Sequence, residues 1–298
     1  MPPFPEGRTE SGECMQDLVE KLQLRRWAES VTASFGTAVR RCRPSSASRS
    51  KILYLHVAKA GGSSFNLFLQ DNFNGESHCE RYIETQEGPD GRQRRHLGNL
   101  DHLRSLDYIS GHLTYPILEG SELDLNDYLL VTILRHPFAQ TISHMNWVIK
   151  ISEDPEGVLF KSSRPDVQQM SLKLRAVEGW SPDTVVCWLE QYPNWFKNNQ
   201  ARYFVSPDRL SDNAILDVLH RLDLVGVTER IDAFVSKFRN MARLRGRAGT
   251  KPVPHENRNS SYQVPLSVLD DPRLQRFLAE YNRFDMAMYT HAESVLAP

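Results

Sequence analysis

Nowhere do the 298 residues contain a run of about 18 apolar residues, so no segment is long enough to cross a bilayer as a helix. The opening residues, Met1-Pro2-Pro3-Phe4-Pro5-Glu6-Gly7, lack the basic stretch and apolar core of a secretory leader. A soluble protein is therefore expected. Lys and Arg number 36 against 37 Asp and Glu, a net charge of −1, so no global field draws the chain to nucleic acid or to a membrane surface. Any anionic ligand must be met by a local patch. Cysteine is scarce: Cys14, Cys42, Cys79 and Cys187 stand far apart with no C-x-x-C pair, which argues against zinc and redox chemistry. Two disulfides would allow three pairings and the spacing selects none, so reduced, partly buried thiols are expected. No internal repeat is visible.

What the chain does have begins at residues 51–66, KILYLHVAKAGGSSFN. Leu53, Leu55 and Val57 suit a buried strand, Gly61 and Gly62 allow positive φ, and Ser63 and Ser64 open a helix with N–H and O–H donors at its positive end. This is the build of an anion-binding turn, and the alternative is a plain glycine turn with a surface lysine. The position of Lys59 narrows the chemistry. A triphosphate P-loop needs G-x-x-x-x-G-K-[ST], with the lysine after the last glycine. Here Lys59 precedes both glycines, and Gly61-Gly62 followed by Ser, Ser and Phe also fails the dinucleotide pattern G-x-G-x-x-G.

A second segment, 128–147, reads YLLVTILRHPFAQTISHMNW. Leu129 to Leu134 is a continuous apolar run suited to a buried parallel strand. It ends in Arg135-His136-Pro137, and helical spacing follows from Phe138 to Trp147. Arg135 offers a planar fork of donors to a phosphate, and Ser143 on the helix reaches the same anion from the side. Otherwise Arg135 is a strand-end arginine paired with a carboxylate. Two anion sites far apart in sequence suit a ligand with two separated anionic groups.

His56-Val57-Ala58-Lys59-Ala60-Gly61-Gly62-Ser63-Ser64 resembles the phosphosulfate loop of the carbohydrate sulfotransferases, most closely the heparan sulfate and uronyl 2-O-sulfotransferase branch, whose loop reads H-[IV]-P-K-[TA]-G-[GT]-[ST]-[ST]. Ala58 replaces the usual proline, so the turn is less fixed in φ. Arg135 and Ser143 are similar in kind and interval to that family's 3′-phosphate site. The resemblance spans residues 51 to 290. It implies a P-loop-like three-layer α/β fold, with a central parallel β-sheet flanked by helices. The implied donor is 3′-phosphoadenosine 5′-phosphosulfate (PAPS), used without a metal. Its binding residues are Lys59, Ala60, Gly61, Gly62, Ser63, Ser64, Arg135 and Ser143, and its sulfuryl group goes to an acceptor hydroxyl on a carbohydrate or other small hydroxylated molecule. Two alternatives stay open: a nucleotide-dependent kinase, which the placement of Lys59 opposes, and a catalytically inactive nucleotide-binding homologue.

Sulfuryl transfer needs a base for the acceptor proton and a positive group at the departing oxygen. Lys59 is assigned to that oxygen. Tyr108-Ile109-Ser110-Gly111-His112-Leu113-Thr114-Tyr115 resembles the G-H-[VLT]-[ST]-[FY] stretch of the uronyl 2-O-sulfotransferases, which makes His112 the expected base; otherwise it is a histidine that orders its loop. Glu76, Glu80 and Glu84, with His78, are alternative bases, lying in a 74–96 stretch that reads as a solvated loop. His56 and His136 are read as structural. Asn199 and Arg202, in a segment resembling the family's N-x-Q-x-R, are candidates to meet the acceptor or to sit on a capped surface helix. Leu224 to Arg230 is similar to V-G-[VL]-x-E and is read as structural, and His255 to Ser261 resembles a loop that closes over the adenosine. The basic run Arg243, Arg245, Arg247 and Lys251, with Arg239 nearby, guides anions or is a solvated face.

Residues 1–50 read as an N-terminal extension, partly disordered by composition, with one helix over Met15–Phe35 and a linker over 43–50; residues 51–298 read as the sulfotransferase domain. Within it the pattern predicts strands at 52–57, 107–110, 129–134 and 223–227 and helices at 62–72 and 137–149, then mostly helix to the end. Alternating βα units predict an α/β domain on a parallel sheet. The aromatic residues of 180–204 read as helical core or as a sugar-stacking surface. A cytoplasmic location is expected, a Golgi lumenal domain or a peripheral membrane protein being the alternatives.

Overall fold

The computed structural model describes residues 51–87, 93–242 and 262–296. The expected N-terminal helix and linker, the basic run from Arg243 and the His255–Ser261 loop lie outside the described residues. Elements follow in the order β1 (Lys51–Leu55), α1 (Gly62–Asn72), β2 (Gly75–Glu76), β3 (Ile83–Glu87), β4 (Gln93–Leu97), β5 (Tyr108–Gly111), β6 (Tyr128–Leu134), α2 (Pro137–Ile151), α3 (Pro165–Arg175) and α4 (Pro182–Gln191). After these come α5 (Asp212–Leu219), β7 (Leu224–Val227), α6 (Ile231–Met241), α7 (Pro272–Tyr281) and α8 (Arg283–Leu296), with shorter helical turns between.

Five strands form one parallel sheet in the order β2-β5-β1-β6-β7, flanked by helices. The sheet begins at its central strand β1, passes to the edge at β2, returns to fill β5 between them, then crosses over β1 to β6 and β7. The direction of winding therefore reverses at β1, and in open parallel sheets that reversal opens a crevice at the carboxyl ends of the central strands. Register makes the crevice specific: Leu55 lies beside Gly111 on one side and Thr132 on the other, so the turns after β1, β5 and β6 emerge together. Every residue of β6 is buried, as a strand covered on both faces requires.

Aromatic rings fasten α1 to the sheet and to α6. Phe65 packs edge-on against Tyr54 of β1 at 4.8 Å, and against Phe234 and Phe238 of α6 at 5.0 and 5.3 Å. A second core forms away from the sheet, where Ile142, Met145 and Ile149 of α2 join Met170, Leu174, Leu189, Phe196 and Leu278. The aromatic residues of 180–204 belong mainly to these cores: Phe196 and Phe204 are buried, and Trp188 stacks on Tyr192.

The 74–96 stretch departs from its expected form. It contains β2, a buried Cys79 at the head of a 3-10 turn, and the antiparallel pair β3–β4, in which Ile83 faces Leu97. Leu97 is buried and Ile83 packs partly against the main core while the rest of both strands is mostly exposed, so one end holds an otherwise polar strand pair. Too few apolar residues alternate for the period to show in sequence. Of the two described cysteines, which are both free, Cys187 is exposed rather than partly buried.

Candidate functional site

Residues 56–61 connect β1 to α1 through two left-handed backbone positions, φ 64 at Lys59 and φ 71 at Gly61. A non-glycine residue held there stores local strain of roughly 1–3 kcal/mol, which the surrounding structure must hold in place. Gly62 admits no side chain: a Cβ would lie 1.9 Å from His56 Cδ2 and 2.0 Å from its Nε2. Gly61 caps α1 with no side-chain acceptor, and the first turn carries no acidic residue. The positive end of the helix is therefore left for an outside anion. Ser64 is buried, Ser63 and Lys59 are half-buried, and Ala60 lies in the core. Burial, followed by the charges of Arg135 and Lys150, pulls the Lys59 ammonium below its ordinary pKa.

Residues 135 and 136 connect β6 to α2, and distant side chains hold them. Gln200 grips Arg135 at both backbone groups: Arg135 N–H donates to Gln200 Oε1 at 2.9 Å, and Gln200 Nε2 donates to Arg135 O at 2.8 Å. The His136 N–H donates to Glu229 at 3.1 Å. Thr228 ties the two turns together, its hydroxyl within reach of the carbonyls of Ala60 (2.8 Å) and Leu134 (3.0 Å). Gln140 of α2 donates to Ala58 O at 3.2 Å and to Asn199 Oδ1 at 3.0 Å. The Arg135 guanidinium reaches the Lys59 carbonyl at 3.4 Å, and Ser143 is buried on α2. Among the described residues no carboxylate pairs with Lys59 or Arg135. Two cations held together without a counter-charge repel each other, and an anion bound between them relieves that cost.

His112 follows β5 at the third turn and is exposed. Its Nδ1 lies 2.9 Å from the His56 carbonyl oxygen, which can only accept, so Nδ1 is protonated and in the neutral ring Nε2 holds the lone pair. Glu80 accepts the His112 backbone N–H at 3.1 Å. That approach explains the preceding glycine, since a Cβ on Gly111 would sit 2.2 Å from Glu80 Oε2.

Comparison with family models, with curated proteins and with solved structures gave no match. The geometry of the site therefore stands by itself.

The structure brings together Lys59, the first turn of α1, Arg135 and His112, three of them on neighbouring strand ends. The alternative bases separate. Glu80 touches His112 through its backbone and approaches His78 at 3.4 Å, whereas Glu76 is paired with Arg81 and Glu84 with His96. Asn199 accepts from Gln140 and donates to Trp195 O, while Arg202 donates to the Asn194 carbonyl, so both spend bonds on the framework. Gln140 and His144 were not singled out in the sequence, and Gln200 and Thr228 entered only as members of the N-x-Q-x-R and 224–230 segments, with no role of their own. This buried histidine beside Ser143 has an Nδ1 without a partner among the described residues, and burial, with Lys59 nearby, pushes its pKa down to about 4. A polar residue directly after Ser143 was the one available signal.

Proposed function

We propose that this chain is a sulfotransferase that moves a sulfuryl group from PAPS to an acceptor hydroxyl, with a carbohydrate as the expected acceptor. The observation that carries the reading is the pair of cations, Lys59 and Arg135, close enough for the charge of one to act on the other and, among the described residues, without a paired carboxylate, next to an uncapped helix start and His112 Nε2.

In this reading the first turn of α1 and Ser63 and Ser64 hold the 5′ end of the donor, and Arg135 with Ser143 holds its 3′-phosphate. His112 Nε2 takes the acceptor's hydroxyl proton as that oxygen bonds to sulfur. The bond between sulfur and the nucleotide's phosphate oxygen breaks, and its electron pair stays on that oxygen, where the Lys59 ammonium meets the new charge. The His56 carbonyl holds His112 Nδ1–H throughout, which fixes the ring and favours the imidazolium that forms. These groups supply the positive field from the chain itself.

Incubation with radiolabelled PAPS and a desulfated uronic-acid polysaccharide tests the reading. Label transferred by the native protein and lost in His112→Ala supports it. A His112→Ala protein with native transfer removes the assigned base, and a native protein that retains bound nucleotide without transfer to any hydroxyl favours the inactive homologue.

A further inference from the structure

His56 sits between the anion-binding turn and His112, and its own ring has no part in the scheme above. It follows β1 directly, stacked on Tyr54 (5.6 Å between centroids, planes 14° apart) and tilted over His112 at 4.4 Å. Its hydrogen bonds fix where its proton lies. Ser110 Oγ donates to Asn66 Oδ1 at 2.7 Å, which turns the Asn66 amide nitrogen toward His56 Nδ1, 3.2 Å away. An amide nitrogen only donates, so His56 Nδ1 is a lone pair and the ring proton is on Nε2. Ser110 and Asn66 are both buried, which shields this relay from water. Burial, with the nearby charges of His112, His78 and Lys59, pushes the His56 pKa down to about 3, so the ring stays neutral.

The protonated edge faces the helix start, since Nε2 and Cδ2 are the atoms a Cβ on Gly62 would strike. Tyr54 Oη, buried and without a hydrogen-bond partner among the described residues, lies 2.8 Å from the same position.

We propose that His56, held as its neutral Nε2–H form by Ser110 and Asn66, donates a hydrogen bond to the anion seated at the first turn of α1; this rests on the sulfotransferase reading for the identity of that anion. A neutral donor suits the place. It adds directional recognition without a second fixed charge against His112, which must itself become positive in the reaction. The glycine at 62 is then required for recognition, because any side chain there would displace the donor.

Nitrogen NMR of the histidine side chains, with 3′-phosphoadenosine 5′-phosphate (PAP) as the probe, tests this directly. In the free protein His56 is expected as the neutral Nε2–H form throughout the range in which an ordinary histidine titrates, with Asn66→Ala converting it to a mixture of forms. Saturating PAP is expected to shift the His56 Nε2 resonance. His56→Phe keeps the ring and loses the donor, and should weaken PAP about tenfold, the worth of one hydrogen bond to a charged group. His56→Gln, which keeps a side-chain N–H, should stay within about threefold by the same reasoning. A His56 that carries its proton on Nδ1, that titrates normally, or whose Nε2 ignores bound PAP overturns the proposal. A native protein that binds no PAP sinks the sulfotransferase reading instead, and the spectrum of the free protein still reports the His56 form.

Discussion

The two turns that meet at the centre of the sheet are built in opposite ways. The β1–α1 turn is local: its shape comes from Lys59, Gly61 and Gly62, with left-handed backbone and a close contact to His56 six residues earlier. The β6–α2 turn is held from a distance, by Gln200 on both sides of Arg135, by Glu229 on His136 and by Thr228 across to Ala60. A strained local turn with an uncapped helix places donors around an anion; a turn gripped at its backbone fixes a guanidinium by its root. In the proposed reaction the first serves the bond that breaks, and the second serves recognition of the nucleotide.

That division can be broken by kinetics. Lys59→Ala should lower kcat by about a hundredfold or more, the worth of one removed charge-stabilising group, with PAP affinity changed by less than about tenfold. Arg135→Lys should do the reverse, weakening PAP by about tenfold through loss of the two-pronged contact while kcat at saturation falls little. Equal losses of kcat in both variants would erase the distinction between the turns.

Gln200→Leu sharpens the same comparison through stability. It leaves the Arg135 N–H and C=O unpaired in a half-buried place, at a cost of about 2 kcal/mol in a denaturant titration, with PAP affinity falling alongside. No change in either would show that Arg135 is held by other means.

An effect of a different kind, read as a pH dependence, lies behind Gln200. Asp285 is buried and accepts the backbone N–H groups of Ala201 at 2.7 Å and Gln200 at 3.2 Å, and burial raises its carboxyl from 3.8 to about 7 despite those bonds. Between those values the folded protein keeps a proton that the unfolded chain releases. Stability should therefore fall as pH rises from 3.8 toward 7 and level off above it. Asp285→Asn should lack that slope, which denaturant midpoints across the range would reveal; parallel curves for the two proteins would contradict the assignment.

The same contrast decides what the sequence made legible. The parallel sheet and both turns announce themselves through apolar runs that end in Lys59-Ala60-Gly61-Gly62 and Arg135-His136-Pro137, because strand burial and turn chemistry are encoded within a few residues. Gln200, although it is the glutamine of the N-x-Q-x-R segment, and Thr228 carry no local mark of what they grip. A glutamine that grips a backbone 65 positions earlier in the chain reads locally as one polar residue among many. The β3–β4 hairpin stayed hidden for a related reason, with the buried Leu97 as its chief apolar anchor. His112 was legible as a residue, but the fact that gives it a chemical direction, its Nδ1 bond to the His56 carbonyl, depends on β1 and β5 lying side by side.

In the proposed reading Lys59 and Arg135 form one site for a nucleotide with anions at both its 3′ and 5′ ends. Calorimetric titration of the native protein with PAP, adenosine 5′-monophosphate and ATP tests it in a single series. PAP should bind tightest, with adenosine 5′-monophosphate weaker by about tenfold or more for want of the 3′-phosphate. ATP binding tighter than PAP, or PAP and adenosine 5′-monophosphate binding alike, would contradict it.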